Sequence, residues 1–352
     1  MKYSEKMVEH YYKELLSVRM AEEKLVEIYA QGRVPGHIHS GVGEEAAYVG
    51  PLMTRNETDY YKGTHRVVSA VHAVGVTFNE IFAEILGKQT GTSHGRGGVN
   101  HIARLDKGVI GTAGSLGVDT EVAIGAGLSA KYLENARIVY CYNGDGTHSR
   151  GNVHEAMNMA AIWKLPVLFI CDDNQFAISA NHANTISVKN PAADRAAGYG
   201  MPAKVVQGDD PLAIYDAAKE LTDYIRAGNG PAVLEIKCYR WRGHFEGDQC
   251  AYRDAAVTED WIANHDCVKN FEAKLMEQGV ITADEISQMM RSIERCFDTK
   301  FWTGSAYRSP GYKGETDDRS QAMAVVSGLA SKDKYPALTK VLKKEYHASP
   351  YM

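Results

Sequence analysis

The sequence predicts an α/β protein: a parallel sheet flanked by helices, led by an N-terminal helical arm and followed by a C-terminal appendage. From about residue 110, short apolar runs alternate with segments of helical periodicity. Strands separated by helices imply a parallel sheet with right-handed crossovers, whose ligands sit at the carboxyl ends of the strands. Two glycine-rich stretches, 36–43 and 91–98, precede that region. So much glycine between ordered elements brings backbone close to a ligand or another chain.

The elements follow in order. Ser4 caps a long first helix in which Met7, Tyr11, Leu15, Val18, Leu25 and Ile28 recur at helical spacing, and Gly32 ends the pattern. Residues 78–86 read as another helix. Then come a helix over 122–133, a buried strand over 138–142, a helix over 152–163 and a strand over 167–171. Strand, helix and strand repeat at 205–206, 212–226 and 233–236. After residue 301 Gly, Ser, Lys, Asp and Tyr dominate, with one helix expected over 337–346. The expected division is therefore 1–300 for the body with its helical arm and 301–352 for the appendage. The appendage carries Trp302 and several tyrosines, so it is expected to pack on the body or across a subunit interface.

The chain has 352 residues, 44% hydrophobic and 24% charged, with a net charge of -5. That balance offers no basic excess for nucleic acid or an anionic membrane. No apolar run reaches the roughly 18 residues that span a bilayer. The first residues lead into a charged amphipathic segment rather than a signal sequence, so a cytoplasmic protein is expected. The six cysteines form no C-x-x-C pair, and Cys141, Cys171 and Cys238 sit in strand-like runs where a thiol acts as a small hydrophobe.

The chemistry concentrates after two strands. Gly144-Asp145-Gly146 follows the strand ending at Tyr142, and Asn174 follows the strand ending at Cys171. Alone, Gly-Asp-Gly is no more than a tight turn. If the two strands are neighbours, a carboxylate and an amide oxygen leave one sheet edge and, with a backbone carbonyl, form a half-shell for Mg²⁺, which completes six oxygens from phosphates and water. The glycines let a diphosphate approach the backbone, and the helix near Asn152 adds its N-terminal field.

The whole stretch, with Gly151-Asn152-Val153-His154-Glu155-Ala156-Met157-Asn158-Met159-Ala160-Ala161-Ile162-Trp163-Lys164-Leu165-Pro166 between its halves, closely resembles the thiamine diphosphate motif of the alpha subunits of pyruvate, branched-chain 2-oxoacid and acetoin dehydrogenases. His39-Ser40-Gly41-Val42-Gly43-Glu44-Glu45-Ala46, Thr64-His65-Arg66, Gly95-Arg96-Gly97-Gly98-Val99-Asn100-His101 and Arg240-Trp241-Arg242-Gly243-His244 resemble further family segments. The likeness spans roughly residues 5–300.

The resemblance implies a thiamine diphosphate-binding fold and a role for each matching residue. Asp145, Asn174 and the carbonyl of Phe176 would hold Mg²⁺, with Gly146 and Thr147 beside the diphosphate. Arg66 would grip a phosphate with His65 next to it, a task suited to the guanidinium fork. Backbone at Gly114 and Leu116 would meet the aminopyrimidine. His39 and His244 would line the channel above the thiazolium as catalytic groups. Taken without the family, Arg66 reads as a surface ion pair and either histidine as a structural residue.

The implied enzyme cleaves a C–C bond next to the carbonyl of acetoin or a 2-oxo acid and passes the acyl fragment to lipoamide or another acceptor. Its implied partners are a beta subunit carrying the pyrimidine-binding half and a catalytic Glu, in an assembly of two alpha and two beta chains, and a lipoyl acyltransferase. A carboligase of a specialised pathway and a scaffold without catalysis are the rivals. A nicotinamide-binding fold is disfavoured, since no G-x-G-x-x-G follows a first strand.

The chain departs from the family pattern at four places. Val67-Val68-Ser69-Ala70 follows Arg66 where relatives carry small residues and histidine. Asp119-Thr120-Glu121 stands in a segment usually rich in glycine, and its carboxylates read as solvated helix-start residues rather than acid–base groups. Asp173 replaces an asparagine. Phe245-Glu246-Gly247-Asp248 after His244 lacks the serine phosphorylated in animal relatives and looks more like the acetoin dehydrogenases.

Overall fold

A computed structural model describes residues 3–301 and 330–344. The chain divides into two compact units, residues 1–281 and 282–352.

The first unit is built on six parallel strands. β1 (Tyr60–Thr64), β2 (Val109–Ala113), β3 (Val139–Gly144), β4 (Val167–Asp173), β7 (Ala203–Gln207) and β8 (Ala232–Lys237) lie in the order β2-β1-β3-β4-β8-β7. A small antiparallel pair, β5 (Phe176–Ala177) and β6 (Ala180–Asn181), follows β4. The helices are α1 (Glu5–Ala30), α2 (Glu45–Leu52), α3 (Phe78–Ile85), α4 (Val118–Tyr132), α5 (Gly151–Ile162), α6 (Ala193–Ala196), α7 (Pro211–Arg226), α8 (Ala255–Asn264) and α9 (Cys267–Glu277).

The central strands carry apolar residues on both faces, as strands covered on both sides must. Val139 and Cys141 of β3 with Val167, Phe169 and Cys171 of β4 meet Val153, Ala156, Met157 and Ala160 of α5. The alternate residues point the other way. There Tyr142 donates its hydroxyl to the Tyr48 carbonyl of α2 at 2.6 Å, the two rings stacked 5.0 Å apart. Each large side chain buried here contributes roughly 1.5–3 kcal/mol. The thiols of Cys141, Cys171 and Cys238 are free and buried, as expected of small hydrophobes.

Ser4 caps α1 by accepting the Met7 N–H at 3.3 Å, and Gly32, at φ 72°, turns the chain out of the helix. Two strands escaped the periodicity. β1 reads Tyr-Tyr-Lys-Gly-Thr, and its Lys62 is 4% exposed because Asp119 pairs with it at 2.9 Å. β2 carries Gly111 and Thr112 in place of apolar residues. Asp119 also corrects an expectation: it lies in the first turn of α4, which begins four residues ahead of the expected start, and it is buried on Lys62 rather than solvated. Glu121 is exposed, as expected, and accepts from Asn152 at 2.9 Å.

The second unit begins ahead of the expected 300/301 boundary. Gly279, at φ 66°, ends the α9 region. Thr282 then opens α10 (Ala283–Phe301) with a reciprocal cap: its N–H meets the Glu285 carboxylate at 2.8 Å and its hydroxyl accepts the Glu285 N–H at 3.3 Å. The expected 337–346 helix is α11 (Tyr335–Lys344), with Leu338 fully buried. The expected packing of the appendage falls mostly on 302–329 and 345–352, outside the described residues. No described helix is long and apolar enough to cross a membrane.

Candidate functional site

The register of β3 and β4 pairs Gly144 with Asp172. The next residue on each strand, Asp145 and Asp173, therefore leaves the same sheet edge at the same height, with Asn174 one step further. Beyond β3 a 3-10 turn over Asp145–Ser149 leads into α5. Asp145 and Thr147 are 2% and 3% exposed, yet Asp145 Oδ2 and Thr147 Oγ1 have no hydrogen-bond partner. Burial raises the Asp145 carboxyl above its usual range, with His182 opposing. No side chain caps the start of α5, so its first N–H groups face the same turn. Gly146 has a packing reason of its own, since a Cβ there would stand 2.3 Å from the Ala177 Cβ.

Asn174 and Phe176 complete this edge. The Asn174 side chain donates to Glu44 Oε2 at 2.9 Å, and its own oxygen accepts the Phe176 N–H at 3.3 Å. The Phe176 carbonyl accepts from Arg240 at 3.3 Å. Two buried oxygens without a hydrogen-bond partner, Asp145 Oδ2 and Thr147 Oγ1, and an uncapped helix start suit a hard cation and the diphosphate it carries, so these residues fit the implied group.

The second cluster is formed by three histidines on three loops. His39, His65 and His244 bring ring nitrogens within 4.8 Å of one another, with the His39 centroid 4.2 Å from His65 and 4.7 Å from His244. His39 Nδ1 donates to the His244 carbonyl at 2.5 Å, which leaves its Nε2 with a lone pair. Burial, followed for His39 by that hydrogen bond's opposing pull and for both by nearby cations, pushes His39 and His244 down to about 4. His65, 8% exposed, is pushed well below its ordinary value by burial and then by Arg66.

Arg66 is a buried strut more than an open fork. Its Nη1 donates to the Ser40 carbonyl at 2.6 Å and its Nη2 to the His244 carbonyl at 3.1 Å. It thereby ties together the loops that carry His39 and His244. Its Nε stands 3.8 Å from Glu44 Oε2, the same oxygen that holds Asn174. Glu44 thus joins the histidine cluster to the strand-edge cluster. Gly114 and Leu116 lie on the bend between β2 and α4, where Gly114 is exposed and Leu116 half-buried.

Sequence reasoning missed several members of this site. Glu44 sat within a quoted segment without a role. Asp172, whose carboxyl burial and then Glu44 push well above the usual range, received no role in the sequence reading. Arg240 contacts the Phe176 and Ile178 carbonyls. His182 was not singled out at all. The β5–β6 hairpin folds the chain back so that the His182 N–H reaches the Gln175 carbonyl at 3.0 Å, and its ring meets Asp145 and Asp173.

Gly43 supports the loop from below. It holds φ 98°, and a Cβ would stand 2.4 Å from the Trp241 ring. Gly43→Ala should cost about 1–3 kcal/mol from overpacking, with backbone strain of about 1–2 kcal/mol added. A lowered midpoint in thermal unfolding of the full chain is expected; an unchanged midpoint would mean that the Trp241 contact yields without cost.

The chain matches the family described as Dehydrogenase E1 component over residues 12–311. It is 37% identical over 300 residues to the alpha subunit of acetoin:2,6-dichlorophenolindophenol oxidoreductase of Cupriavidus necator, covering 85% of this chain and 90% of that one. It is 38% identical over 267 residues to the corresponding Bacillus subtilis subunit, covering 76% and 80%. Against the pyruvate dehydrogenase E1 component subunit alpha of Rhizobium meliloti it is 32% identical over 282 residues, covering 80% and 81%. With most of the chain matched in each case, it belongs to the dehydrogenase E1 component family of thiamine diphosphate-dependent oxidoreductases.

Proposed function

We propose that this chain is the alpha subunit of a thiamine diphosphate- and Mg²⁺-dependent enzyme that cleaves a C–C bond next to a carbonyl and passes the acyl fragment to lipoamide or another acceptor. The observation that carries the reading is the pair of buried oxygens without a hydrogen-bond partner, Asp145 Oδ2 and Thr147 Oγ1, ahead of an uncapped helix. Asp145, Asn174 and the Phe176 carbonyl would hold the metal, Gly146 and Thr147 the diphosphate. Gly114 and Leu116 would meet the aminopyrimidine. When bound, thiamine diphosphate supplies a carbon nucleophile and an electron sink for the broken bond.

The chain's own residues orient the reactants and move protons. Arg66 fixes the two histidine loops and keeps further N–H donors for a phosphate, with His65 beside it. His39 and His244 are held neutral at pH 7, so their ring nitrogens can accept or return a proton as charge develops on the substrate oxygen. Acetoin is the favoured substrate, on the His244-Phe245-Glu246-Gly247-Asp248 loop and the likeness to two acetoin oxidoreductase subunits. The carboligase alternative is not favoured, because the relatives compared are oxidoreductase and dehydrogenase subunits.

A beta subunit would supply the pyrimidine-binding half and the catalytic Glu, in a complex of two alpha and two beta chains, since paired half-sites suit two-fold symmetry. A lipoyl acyltransferase would take the acyl group, and the complex would work in the cytoplasm. The purified chain alone is expected to show no thiamine-dependent turnover of acetoin or 2-oxo acids, and to gain it when co-purified with a beta-type subunit. Turnover by the chain alone would overturn the two-subunit reading.

A further inference from the structure

The departure from the family pattern at Asp119-Thr120-Glu121 falls beside the crevice of the sheet. From β1 the strand order runs to β2 on one side and to β3 and β4 on the other, so it reverses between β1 and β3. Open parallel sheets take their ligands at such a point, outside the carboxyl ends of the strands. The turn over 114–117 leaves the end of β2 next to it. Thr112 fixes the entry to this turn: its hydroxyl donates to the Asn100 carbonyl at 2.8 Å and accepts the Ile102 N–H at 2.9 Å. The turn is tight, with the Leu116 N–H on the Gly114 carbonyl at 3.0 Å. Gly117, at φ 98°, then leads into α4, whose start no side chain caps.

Two polar ties beneath the first turn of α4 fix the exit. Asp119 Oδ1 meets Lys62 Nζ at 2.9 Å, and the lysine also donates to the Gly63 carbonyl at 3.3 Å. Thr120, fully buried, donates its hydroxyl to Asn143 at 3.1 Å. Lys62 belongs to β1 and Asn143 to β3, so the start of α4 is tied to the two strands that bound the crevice. Asn143 also stands two residues before Asp145, which links the turn to the strand edge that carries the metal residues. Both members of the ion pair are buried, Lys62 at 4% and Asp119 at 7% exposure. Such a pair adds little stability, because the cost of removing two charges from water offsets their attraction.

We propose that Asp119, held by Lys62, is a positioning residue: the pair sets where the 114–116 backbone stands above the crevice, and so makes the site prefer thiamine diphosphate to ligands without an aminopyrimidine. Neither side chain touches the cofactor. They act through the turn, whose backbone meets the ring in the functional reading above, and the proposal rests on that reading. An ion pair between a strand and a helix start fixes distance and direction together. Apolar side chains of similar volume would fill the space but leave the turn free to shift.

The test uses the full chain assembled with its beta subunit. Replacing Asp119 alone would leave a buried lysine without its partner, so the variant is the double substitution Lys62→Met with Asp119→Leu, a change that buried ion pairs commonly tolerate. Affinities for thiamine diphosphate and for inorganic diphosphate, both with Mg²⁺, are measured by titration calorimetry, and stability by thermal unfolding without ligand. The double variant should unfold at or above the wild-type midpoint. It should bind inorganic diphosphate within about twofold of wild type and thiamine diphosphate about tenfold more weakly. Unchanged thiamine diphosphate affinity, or an equal loss for both ligands, overturns the proposal. A variant that fails to fold or unfolds well below the wild type also overturns it, by making the pair a source of stability. The wild type reads the functional assignment separately: if it binds thiamine diphosphate no more tightly than inorganic diphosphate, the ring contact at 114–116 falls, and the proposal with it.

Discussion

Asp145→Ala should weaken metal-dependent thiamine diphosphate binding by at least about 100-fold, close to 2.8 kcal/mol. The substitution removes a formal charge from the proposed first shell, and in the chain without ligand it removes one of the two carboxylates that face His182, which keeps Asp173 at 2.8 Å. The same change should cost the chain without ligand little, because burial opposes the charge of Asp145 and only the His182 pair offsets it. The two effects therefore separate by experiment. Thermal unfolding without cofactor should give a midpoint close to that of the wild type. Adding Mg²⁺ and thiamine diphosphate should raise the wild-type midpoint, since saturation at about 100 times Kd adds roughly 2.7 kcal/mol, and leave the variant unmoved. Near wild-type affinity by calorimetry would remove Asp145 from the site. A large loss of stability in the empty variant would make it a structural residue instead.

What the sequence disclosed and what it hid divide along physical lines. β3 and β4 were legible because strands covered on both faces need unbroken apolar runs, and Val139–Tyr142 and Val167–Cys171 supply them. β1 was not, because a strand containing Lys62 is buried only through Asp119, nearly sixty positions along the chain, and local pattern carries no trace of such a pairing. The same pairing overturned the reading of Asp119 as solvated. Asp145 and Asn174 were legible because each follows a strand end directly, so adjacency in the sheet does the rest. Glu44 and His182 depend on tertiary events. Glu44 reaches Asn174 only once α2 packs on the sheet, and His182 reaches Asp145 only through a hairpin with an exposed isoleucine at its turn. Arg66 was legible as a residue of the site, but its geometry was not: its bonds to two carbonyls follow from how the 40s and 240s loops meet.

His244→Ala should lower turnover of the assembled enzyme by about 10²–10⁴-fold while changing cofactor affinity no more than about threefold. The structure makes this substitution unusually clean. The hydrogen bonds that His244 gives its neighbours run through its backbone carbonyl, which accepts from His39 at 2.5 Å and from Arg66 at 3.1 Å. Alanine keeps that carbonyl. The loop keeps its own anchors as well: the His244 N–H donates to Asp248 at 2.8 Å, and the Glu246 N–H donates to the Ile38 carbonyl at 2.9 Å. What disappears is the imidazole alone, half-buried beside His39 and His65 and held neutral by burial and by the neighbouring cationic and imidazole groups. His39→Ala differs, because it removes a ring that orients on the His244 carbonyl and should disturb loop position together with chemistry. Single-turnover rates with saturating cofactor distinguish the two. A loss confined to the chemical rate in His244→Ala, with binding intact, supports a proton-handling role in the reaction. The wild-type ring stays neutral until pH falls toward about 4, so its contribution to rate should be flat from pH 8 to 6 and should not show the ordinary histidine midpoint near 6.5. An unchanged single-turnover rate in the variant would return His244 to a structural role and leave His39 as the group to examine.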